Sequence, residues 1–233
     1  KCAFCIIPTA RGRSRSLPVE IIANQVEEAY AQGFQEVVLT GIHLAHYGWD
    51  QNSDLITLVK TLLKKNPGPR IRISTLDPFE IPEELIQMIG SDERLCPHFH
   101  IAIQSGSNKI LKSMKRLYDA QEFVDVSKRI EKRCSDTFIG VDVIVGFPGE
   151  EEKEFRETVD CLTNSFWSKL HVFSYSERKE TAAALLSGKV EPNKISKRSE
   201  ILRKISEVRY QGFLQSQVGK ESGNRNYSLV KAI

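Results

Sequence analysis

Short apolar segments alternate along this chain with longer segments of helical periodicity, and this alternation restricts the fold more than any other feature. Five strands are predicted, over 36–41, 70–75, 99–104, 139–145 and 170–174. Helices are predicted between and after them, at 18–33, 55–65, 82–89, after 107 to about 114, 119–134, from 150 onward, and 193–217. Strands that alternate with helices of about 10–15 residues favour a parallel sheet connected by right-handed crossovers. The chain is therefore expected to be an α/β protein.

The predicted strands carry polar residues on one face, which argues against an open sheet covered by helices on both sides. Arg72 and Ser74 share this face, as do His100 and Gln104, and Asp142 lies among apolar neighbours. The opposite face is apolar, with Ile71, Ile73, Ile101, Ile103, Val141, Val143 and Val145. A curved, barrel-like sheet with a ligand site at the carboxyl ends of its strands fits this pattern best. Alternatively, the polar side chains bond one another around buried water.

Composition indicates a folded protein without a membrane span. Of 233 residues, 40% are hydrophobic and 27% are charged, and no stretch approaches the ~20 apolar residues of a transmembrane helix. The five cysteines are too sparse for a disulfide scaffold, so a reducing, cytoplasmic setting is expected. The net charge is only +3, but Arg11, Arg13 and Arg15 form a cluster that can contact phosphates. Such a cluster can equally be a solvated surface.

Cys2 and Cys5, separated by two residues, form the most chemically specific motif of the chain. Taken alone, the pair is compatible with half of a zinc site, a redox-active pair or part of an iron–sulfur motif. A zinc site needs a second ligand pair at short spacing, and none follows. A thioredoxin-type pair should stand at the start of a helix, whereas residues 6–10 and an arginine-rich loop follow here. One more cysteine just upstream would complete the loop of a four-iron cluster.

Further motifs extend from this pair along nearly the whole chain, and together they resemble the methylthiotransferases of the radical S-adenosylmethionine (SAM) family. The matching stretches are 2–8, 11–16, 39–43 with 47–48, 95–100, 103–107, 114–116, 139–150, and 171–176 with Arg178. In the family's C-x3-C-x2-C motif, Cys2 and Cys5 match the last two cysteines, and the first is expected three residues before Lys1. The resemblance implies a partial (β/α) barrel of the radical-SAM type with parallel strands, truncated at its first strand. It assigns 1–218 to this barrel and 219–233 to the start of a β-rich tRNA-binding module.

The resemblance also implies the chemistry. Within the family, the sequence is most similar to the branch that adds a methylthio group to carbon 2 of threonylcarbamoyladenosine beside the tRNA anticodon. Sister branches act on isopentenyladenosine in tRNA or on an aspartate of a ribosomal protein. The implied cofactors are S-adenosylmethionine and a 4Fe-4S cluster held by three thiolates, with a second cluster expected in the complete protein. The implied partners are tRNA and an electron-donor protein.

Site residues are carried over from the family at the matching positions. Cys2 and Cys5 are expected to bind the cluster. Contacts to S-adenosylmethionine are expected from Phe4, Thr40, Gly41, Gln104, Ser105, Arg116, Asp142 and Gly146. Arg116 suits the cofactor's carboxylate because a guanidinium is a planar fork of donors. The loop that carries Arg11, Arg13 and Arg15 is the candidate for contact with tRNA phosphates. Each polar residue in this set could instead join neighbouring strands.

Departures from the family pattern leave other functions open. Residues 179–181 stand where the family often has glycine, and only two of the three cluster cysteines are present. The 233 residues alone are therefore expected to be inactive as an enzyme. The first alternative is a non-catalytic barrel that binds tRNA without iron, with an affinity that falls steeply as salt rises. A zinc or thiol-redox protein is a further alternative.

Overall fold

The structure, a computed structural model, describes residues 2–65 and 67–220. Its strands are β1 (Glu36–Leu39), β2 (Arg70–Ile73), β3 (Thr75–Leu76), β4 (His98–Gln104), β5 (Phe138–Val145) and β6 (Lys169–Ser174). They pair in the orders β1-β2 and β3-β4-β5-β6, and every described pair is parallel. This arrangement confirms the parallel α/β fold that the alternation of strands and helices predicts.

The segment predicted as one strand over 70–75 is divided between two neighbours. β2 pairs along its whole length with β1, whereas β3 pairs with β4. At the junction, the Ser74 amide donates to the Leu39 carbonyl at 3.0 Å. An isolated bridge from Ile71 to Leu95 connects β2 to the segment just before β4. The continuous segment 70–76 therefore pairs first with β1 and then with β4. It joins the two short sheets into one curved wall.

The helices of the described residues are α1 (Ile7–Arg11), α2 (Val19–Ala31), α3 (Leu55–Lys64), α4 (Glu83–Ser91), α5 (Asn108–Ser113), α6 (Ala120–Arg133), α7 (Glu152–Thr163) and α8 (Pro192–Gln217). All but α1 lie where the sequence predicts a helix. The start of α6 shows the local cause, because the Asp119 carboxylate accepts from the Glu122 amide at 2.9 Å while Glu122 bonds the Asp119 amide at 2.8 Å. The expectation of an irregular segment after Cys5 is wrong at α1, where Pro8 occupies the first turn of a short helix.

The main core lies between the apolar face of the sheet and the helices. Its fully buried residues include Ile71, Ile101, Ile103, Val141, Val143 and Val145. On the other face, Arg72, His100 and Asp142 are only half-buried. The predicted division of the strands into one apolar and one polar face is therefore confirmed, and it leaves the polar face available to line a site.

The long helix α8 packs on β6 and belongs to the same folded unit. Leu202 of α8 is fully buried, and the Leu170 amide of β6 donates to the Ser206 hydroxyl at 2.8 Å. The expected β-rich module from 219 onward falls almost entirely on 221–233, outside the described residues, so it stays a prediction. Within the described residues, no helix combines the length and apolar character that crossing a membrane requires.

Candidate functional site

The carboxyl ends of the strands define one rim of the sheet, which is where ligands bind in parallel α/β folds. Thr40 and Gly41 follow β1, Gln104 ends β4, and Gly146 follows β5. The structure therefore brings these four predicted cofactor residues to the same rim. Asp142 lies further back, in the interior of β5.

The cysteine loop is fixed to this rim by its backbone. The Ala3 amide donates to the Met114 carbonyl at 2.9 Å, and the Ala183 amide donates to the Ala3 carbonyl at 2.8 Å. The Cys5 amide donates to the Cys2 carbonyl at 3.3 Å, which closes a turn between the two cysteines. Ala3 is buried, whereas Cys2 and Cys5 are half-buried free thiols. The loop thus buries its small residue and leaves both thiols partly uncovered.

Phe4 packs on the loop that follows β5. Its ring meets Phe147 edge to face, with centroids 6.3 Å apart, and Phe147 meets Tyr175 in the same way at 5.3 Å. Phe147 is fully buried while Phe4 is half-buried. The segment 146–148, which contains the predicted cofactor residue Gly146, therefore lies directly against the predicted cofactor residue Phe4.

Gly146 is required by its backbone and by its surroundings. Its φ is +80°, a conformation that side-chain-bearing residues rarely adopt. A Cβ atom there would lie 2.4 Å from the side chain of Ile195 on α8. Its amide donates to Glu150 Oε1 at 3.0 Å. These contacts give Gly146 a structural role in addition to any contact with a cofactor.

Arg116 stands beside Cys2 and links the cysteine loop to two other segments. Its Nη1 donates to Cys2 Sγ at 2.7 Å, its Nε donates to the Tyr118 hydroxyl at 2.9 Å, and its Nη2 pairs with Asp77. Burial of this side chain opposes its charge, but Tyr118, Asp77 and Cys2 together raise the pKa of Arg116 above its ordinary value. The Tyr118 hydroxyl donates in turn to the Ile103 carbonyl at 2.9 Å. A fixed positive charge is therefore held next to one thiol.

Gln104 and Ser105 are neighbours in sequence but differ in position. Gln104 has φ +63° beside an irregularity in the pairing of β4 with β5, and its side chain is half-buried at the rim. Ser105 has no exposed surface, and its hydroxyl lies 3.3 Å from the Thr158 hydroxyl on α7 and accepts from the Ser107 amide at 3.2 Å. The prediction of a direct cofactor contact disagrees with this arrangement, because the Ser105 hydroxyl already joins β4 to α7.

Asp142 belongs to a polar cluster on the inner face of the sheet. His100 Nε2 lies 2.7 Å from Asp142 Oδ1, and the ring of His171 stacks on that of His100 with centroids 5.0 Å apart. Burial lowers the pKa of His171, and the neighbouring His100 lowers it further. The polar side chains on this face therefore bond one another, as the alternative interpretation of the sequence expects, and they also present imidazole and carboxylate groups along the inner wall.

The arginine loop, residues 11–16, lies at the surface, and its three arginines are exposed. Its last residue, Ser16, anchors the loop to the segment after β1. The Ser16 amide donates to Asp50 Oδ2 at 3.0 Å, and the Gly48 amide donates to the Ser16 hydroxyl at 2.9 Å. Of the predicted phosphate-binding residues, Arg11 ends α1, and Arg13 and Arg15 lie on the loop that Ser16 attaches.

Sequence reasoning did not identify the three-ring stack formed by His43, His46 and Trp49. Adjacent rings in this stack lie 3.6 Å apart, with interplanar angles of 16° and 22°. Two consecutive turns bring the rings together: the His46 amide donates to the His43 carbonyl at 3.1 Å, across the 3₁₀ helix Leu44–His46, and the Trp49 amide donates to the His46 carbonyl at 3.3 Å. The sequence signal was the spacing of three between successive rings.

Two groups of described side chains have metal-binding chemistry, the cysteine pair and the set His43, His46 and Glu80. The second group has poor geometry for an ion. His43 Nε2 already bonds Glu80 Oε1 at 2.6 Å. An ion between the stacked rings would also lie about half of their 3.6 Å separation out of each ring plane. An imidazole nitrogen binds a metal near its ring plane, and this offset is nearly as long as a metal–nitrogen bond of about 2.0 Å. We therefore describe this set as a hydrogen-bonded cluster.

The cysteine pair fits an iron–sulfur centre better than any other metal site. Soft thiolate donors on a compact loop suit iron–sulfur clusters, and a hydrogen bond to a cysteine sulfur is one of the means by which proteins tune them. Arg116 supplies such a bond to Cys2. A surface cleft of about 470 Å³ lies away from the rim between α4 and α6, where Glu83, Arg129, Lys132 and Arg133 line it. That cleft is open and contains none of the predicted site residues.

The parallel barrel and the cysteine loop at its rim define a class of protein. A family model described as the Radical SAM superfamily matches residues 1–162. The matched region contains both cysteines and extends through β5 into α7. The chain belongs to the radical SAM superfamily.

Curated relatives narrow the comparison. The chain is 42% identical over 221 residues to the threonylcarbamoyladenosine tRNA methylthiotransferase MtaB of Aquifex aeolicus, which covers 94% of this chain and 54% of that protein. It is 37% identical over 214 residues to the tRNA-2-methylthio-N(6)-dimethylallyladenosine synthase of Natranaerobius thermophilus, with 89% of this chain and 48% of that protein covered. The chain thus spans about half the length of the curated relatives it matches.

Solved structures share the fold at low sequence identity. The radical SAM methyltransferase TsrM from Kitasatospora setae matches 79% of this chain and 36% of its own with a TM-score of 0.63 and 16% identity. Methylornithine synthase (PylB) matches 92% of this chain and 58% of its own with a TM-score of 0.57 and 12% identity. These similarities concern the fold alone, and they confirm the predicted partial barrel of the radical-SAM type.

Proposed function

We propose that this chain forms the cofactor-binding core of an enzyme that adds a methylthio group to carbon 2 of threonylcarbamoyladenosine beside the tRNA anticodon. The observation that carries the proposal is the 42% identity, over 94% of this chain, to the Aquifex protein with that substrate in its name. Cys2 and Cys5 support it, since the Radical SAM match includes them. A tRNA substrate and free cysteines both agree with a cytoplasmic location.

Cys2 and Cys5 would supply two of the three thiolates of a 4Fe-4S cluster, and the family motif expects the third three residues before Lys1. When bound, the cluster supplies the electron that cleaves S-adenosylmethionine and starts radical chemistry on the base. Arg116 holds a positive charge at Cys2 Sγ, 2.7 Å away, and so helps to fix the position of this ligand. A second cluster and an electron-donor protein complete the proposal, and both rest on the family resemblance.

The proposal assigns S-adenosylmethionine to the rim beside the cysteine loop. Thr40, Gly41 and Gln104 end or follow strands there, and each of these residues is exposed or half-buried. The other direct contacts assigned are Phe4, Arg116, Asp142 and Gly146. The Arg116 fork and the Asp142 carboxylate already bond protein groups, so a cofactor would share or replace those partners. Ser105 supports the site indirectly, by holding the start of α5 against α7.

The arginine loop would meet the phosphates of tRNA. Arg11, Arg13 and Arg15 are exposed, and their loop follows the cysteine loop directly through α1. Phosphate contacts of this kind position an RNA without reading its sequence. The RNA backbone would then pass within reach of the rim where the chemistry takes place.

Expression of the complete reading frame that encodes this chain tests the proposal. The host should be a bacterium that lacks its own enzyme for this modification, and its tRNA nucleosides are analysed by mass spectrometry. We expect 2-methylthio-threonylcarbamoyladenosine to form with the wild-type protein and to be absent with Cys2→Ala or Cys5→Ala. Cys134→Ala is the matched control, because this half-buried thiol caps α6 near the start of β5, at the opposite end of the sheet. Its product should equal that of the wild type.

The same experiment separates the other candidates. The 37% identity to a dimethylallyladenosine synthase is the observation that favours a sister branch, and a methylthio group found only on dimethylallyladenosine would assign the protein there. A methylthio group found only on a ribosomal-protein aspartate, in mass spectra of the ribosomal proteins of the same host, would assign the remaining branch. The anaerobically purified wild type should contain iron and sulfide, and Cys2→Ala and Cys5→Ala should lose the share that belongs to one 4Fe-4S cluster. Binding of tRNA without iron and without any methylthio product would refute the proposal in favour of the non-catalytic barrel.

A further inference from the structure

The ring stack of His43, His46 and Trp49 ends in an open aromatic face. Trp49 is 69% exposed although it stacks on His46 with centroids 3.6 Å apart. An indole whose one face packs on imidazole and whose surface is otherwise in water offers its remaining face to a planar ligand. A single exposed tryptophan needs no explanation, but one that extends an ordered stack has a defined position and plane.

Glu80 and two buried residues of the 3₁₀ turn hold the ring stack in place. His43 Nε2 and His46 Nε2 both lie near Glu80 Oε1, at 2.6 and 3.2 Å. Between the stacked residues, Leu44 and Tyr47 are buried in the main core and fix the 3₁₀ turn. A ring that is already ordered loses little conformational entropy when a ligand stacks on it, and preorganised contacts of this kind favour binding.

The stack is also joined to the arginine loop. The Gly48 amide, next to Trp49, donates to the Ser16 hydroxyl at 2.9 Å, and Gln51 Nε2 donates to the Ser16 carbonyl at 2.5 Å. Ser16 follows Arg15 directly, so the exposed arginines and the exposed indole belong to one surface. That surface combines a flat apolar ring with several cations; of the carboxylates near it, Asp50 accepts from the Ser16 amide, Glu80 bonds the stacked imidazoles, and Glu20 lies near Tyr47.

We propose that Trp49 stacks on an unpaired base of a single-stranded RNA segment while Arg13 and Arg15 contact its phosphates. Single-stranded RNA is the ligand that this surface fits, because proteins hold it by aromatic stacking on bases together with cations along the backbone. The choice of tRNA as the source of that segment rests on the proposed function, since the anticodon loop presents unpaired bases next to the modified adenosine. The stack thereby acts as a positioning element for the substrate loop.

Tryptophan fluorescence tests the proposal on this chain without iron or S-adenosylmethionine. The chain has two tryptophans, and Trp167 is buried, so a Trp167→Phe variant leaves Trp49 as the only tryptophan. Titration with an unmodified anticodon stem-loop RNA should quench this fluorescence, and a duplex RNA without a loop should not. Fluorescence anisotropy of the labelled stem-loop on the otherwise unchanged chain measures affinity independently of Trp167.

The expected losses separate stacking from charge. Trp49→Ala should weaken binding about 5- to 150-fold, the range found for base–aromatic stacking, while its salt dependence stays unchanged. Trp49→Phe keeps a ring and should restore most of the affinity. Arg13→Ala or Arg15→Ala should reduce the slope of log affinity against log salt by about 0.7 each. Wild-type affinity in Trp49→Ala, or absence of quenching by the stem-loop, would overturn the proposal and leave the indole to a protein partner or to no ligand.

The outcome is distinguishable from that of the proposed function. If the stem-loop quenches Trp49 fluorescence but no methylthio product forms in tRNA, the stacking proposal is supported and the proposed enzymatic activity is refuted. Product formation that is equal in the wild type and Trp49→Ala, together with no quenching, would do the opposite. Far-ultraviolet circular dichroism of Trp49→Ala checks its fold, which should be intact because the side chain is largely exposed.

Discussion

Removal of the Arg198 guanidinium should destabilise this protein through the carboxylate that it leaves behind. Arg198 of α8 is 7% exposed in its side chain, and its Nη1 donates at 2.7 Å to Oε1 of Glu150, whose side chain is 2% exposed. The same nitrogen donates to the Glu150 carbonyl at 2.9 Å. Burial raises the pKa of Glu150, and the amide of Gly146 and the Arg198 charge act against that rise. In Arg198→Met the carboxyl keeps its burial and loses its cation.

The loss of stability in Arg198→Met depends on whether the unpaired Glu150 carboxyl stays charged or takes up a proton. Removing one partner of a buried ion pair typically costs about 3–5 kcal/mol. The carboxyl can limit this cost by taking up a proton, and at pH 7 protonation of a group with an unfolded value of 4.5 costs about 3.4 kcal/mol, at about 1.36 kcal/mol for each pH unit. The expected loss at pH 7 is therefore about 3–4 kcal/mol.

The pH dependence has a definite sign. In Arg198→Met the folded pKa of Glu150 lies further above the unfolded value, so the folded state binds more protons between the two values. Its stability then falls as pH rises through that window. Relative to the wild type, the deficit should be largest near pH 7 and should shrink to about 1 kcal/mol near pH 5, where a proton costs less.

Urea unfolding followed by circular dichroism at pH 5 and pH 7 measures these differences. The double variant Arg198→Met, Glu150→Gln removes both charges and should recover most of the lost stability, because no charge is then left buried. Lys204→Met is the control on the same helix, since the Lys204–Glu200 pair is exposed to water and should leave the stability nearly unchanged. A loss below about 1 kcal/mol at pH 7 in Arg198→Met, or a deficit that does not change with pH, would refute the reasoning.

Three further predictions concern single groups. Gly146→Ala should lower the free energy of unfolding by more than about 1 kcal/mol, because φ is +80° and the new Cβ would lie 2.4 Å from a side chain on α8. Gly212 lies in α8 with open space around it, so Gly212→Ala should instead raise the free energy of unfolding by up to about 1 kcal/mol in the same denaturation assay. Burial lowers the pKa of His98 to about 4 from 6.5, so its contribution to stability is complete above pH 6.5 and is lost as pH falls toward 4. His98→Gln should abolish about 3 kcal/mol of that acid-dependent loss, and parallel acid-induced unfolding curves for the two proteins would contradict this. The Glu80 carboxylate raises the pKa of His43, so Glu80→Gln should shift the imidazole titration, followed by nuclear magnetic resonance, to lower pH, and an unchanged titration would show that the His43–Glu80 bond is absent in solution.

The order of strands and helices could be predicted because each element carries its own periodicity. The strands at 99–104 and 139–145 alternate polar and apolar residues, and that alternation fixed which face would be buried before any partner was known. The helix at 119–134 begins at Asp119 with Glu122 three residues on, so its start was also local information. The cysteine motif and the glycine-containing turn at 146–149 are likewise readable along the chain.

The division of the segment 70–75 could not be predicted from sequence. Its residues alternate regularly through Ser74, and the break arises because β2 and β3 have different neighbours. The burial of Ser105 has the same origin, since Thr158, which lies 53 positions away, takes its hydroxyl. The sequence pattern placed Ser105 at the end of a strand. Only the structure shows that its hydroxyl bonds Thr158 of α7 instead of facing the rim.

By itself, the sequence determined the parallel α/β class, the polar inner face and the pair of thiols at the start of the chain, because periodicity and spacing are properties of neighbouring residues. Tertiary structure alone decided what surrounds those thiols. Arg116 meets Cys2 although 114 positions separate them, and Ser16 joins the arginine loop to the segment of Trp49 across more than 30 positions. Such contacts form because the crossovers bring the ends of different strands to one rim. The separation of two residues along the chain does not indicate whether they meet there.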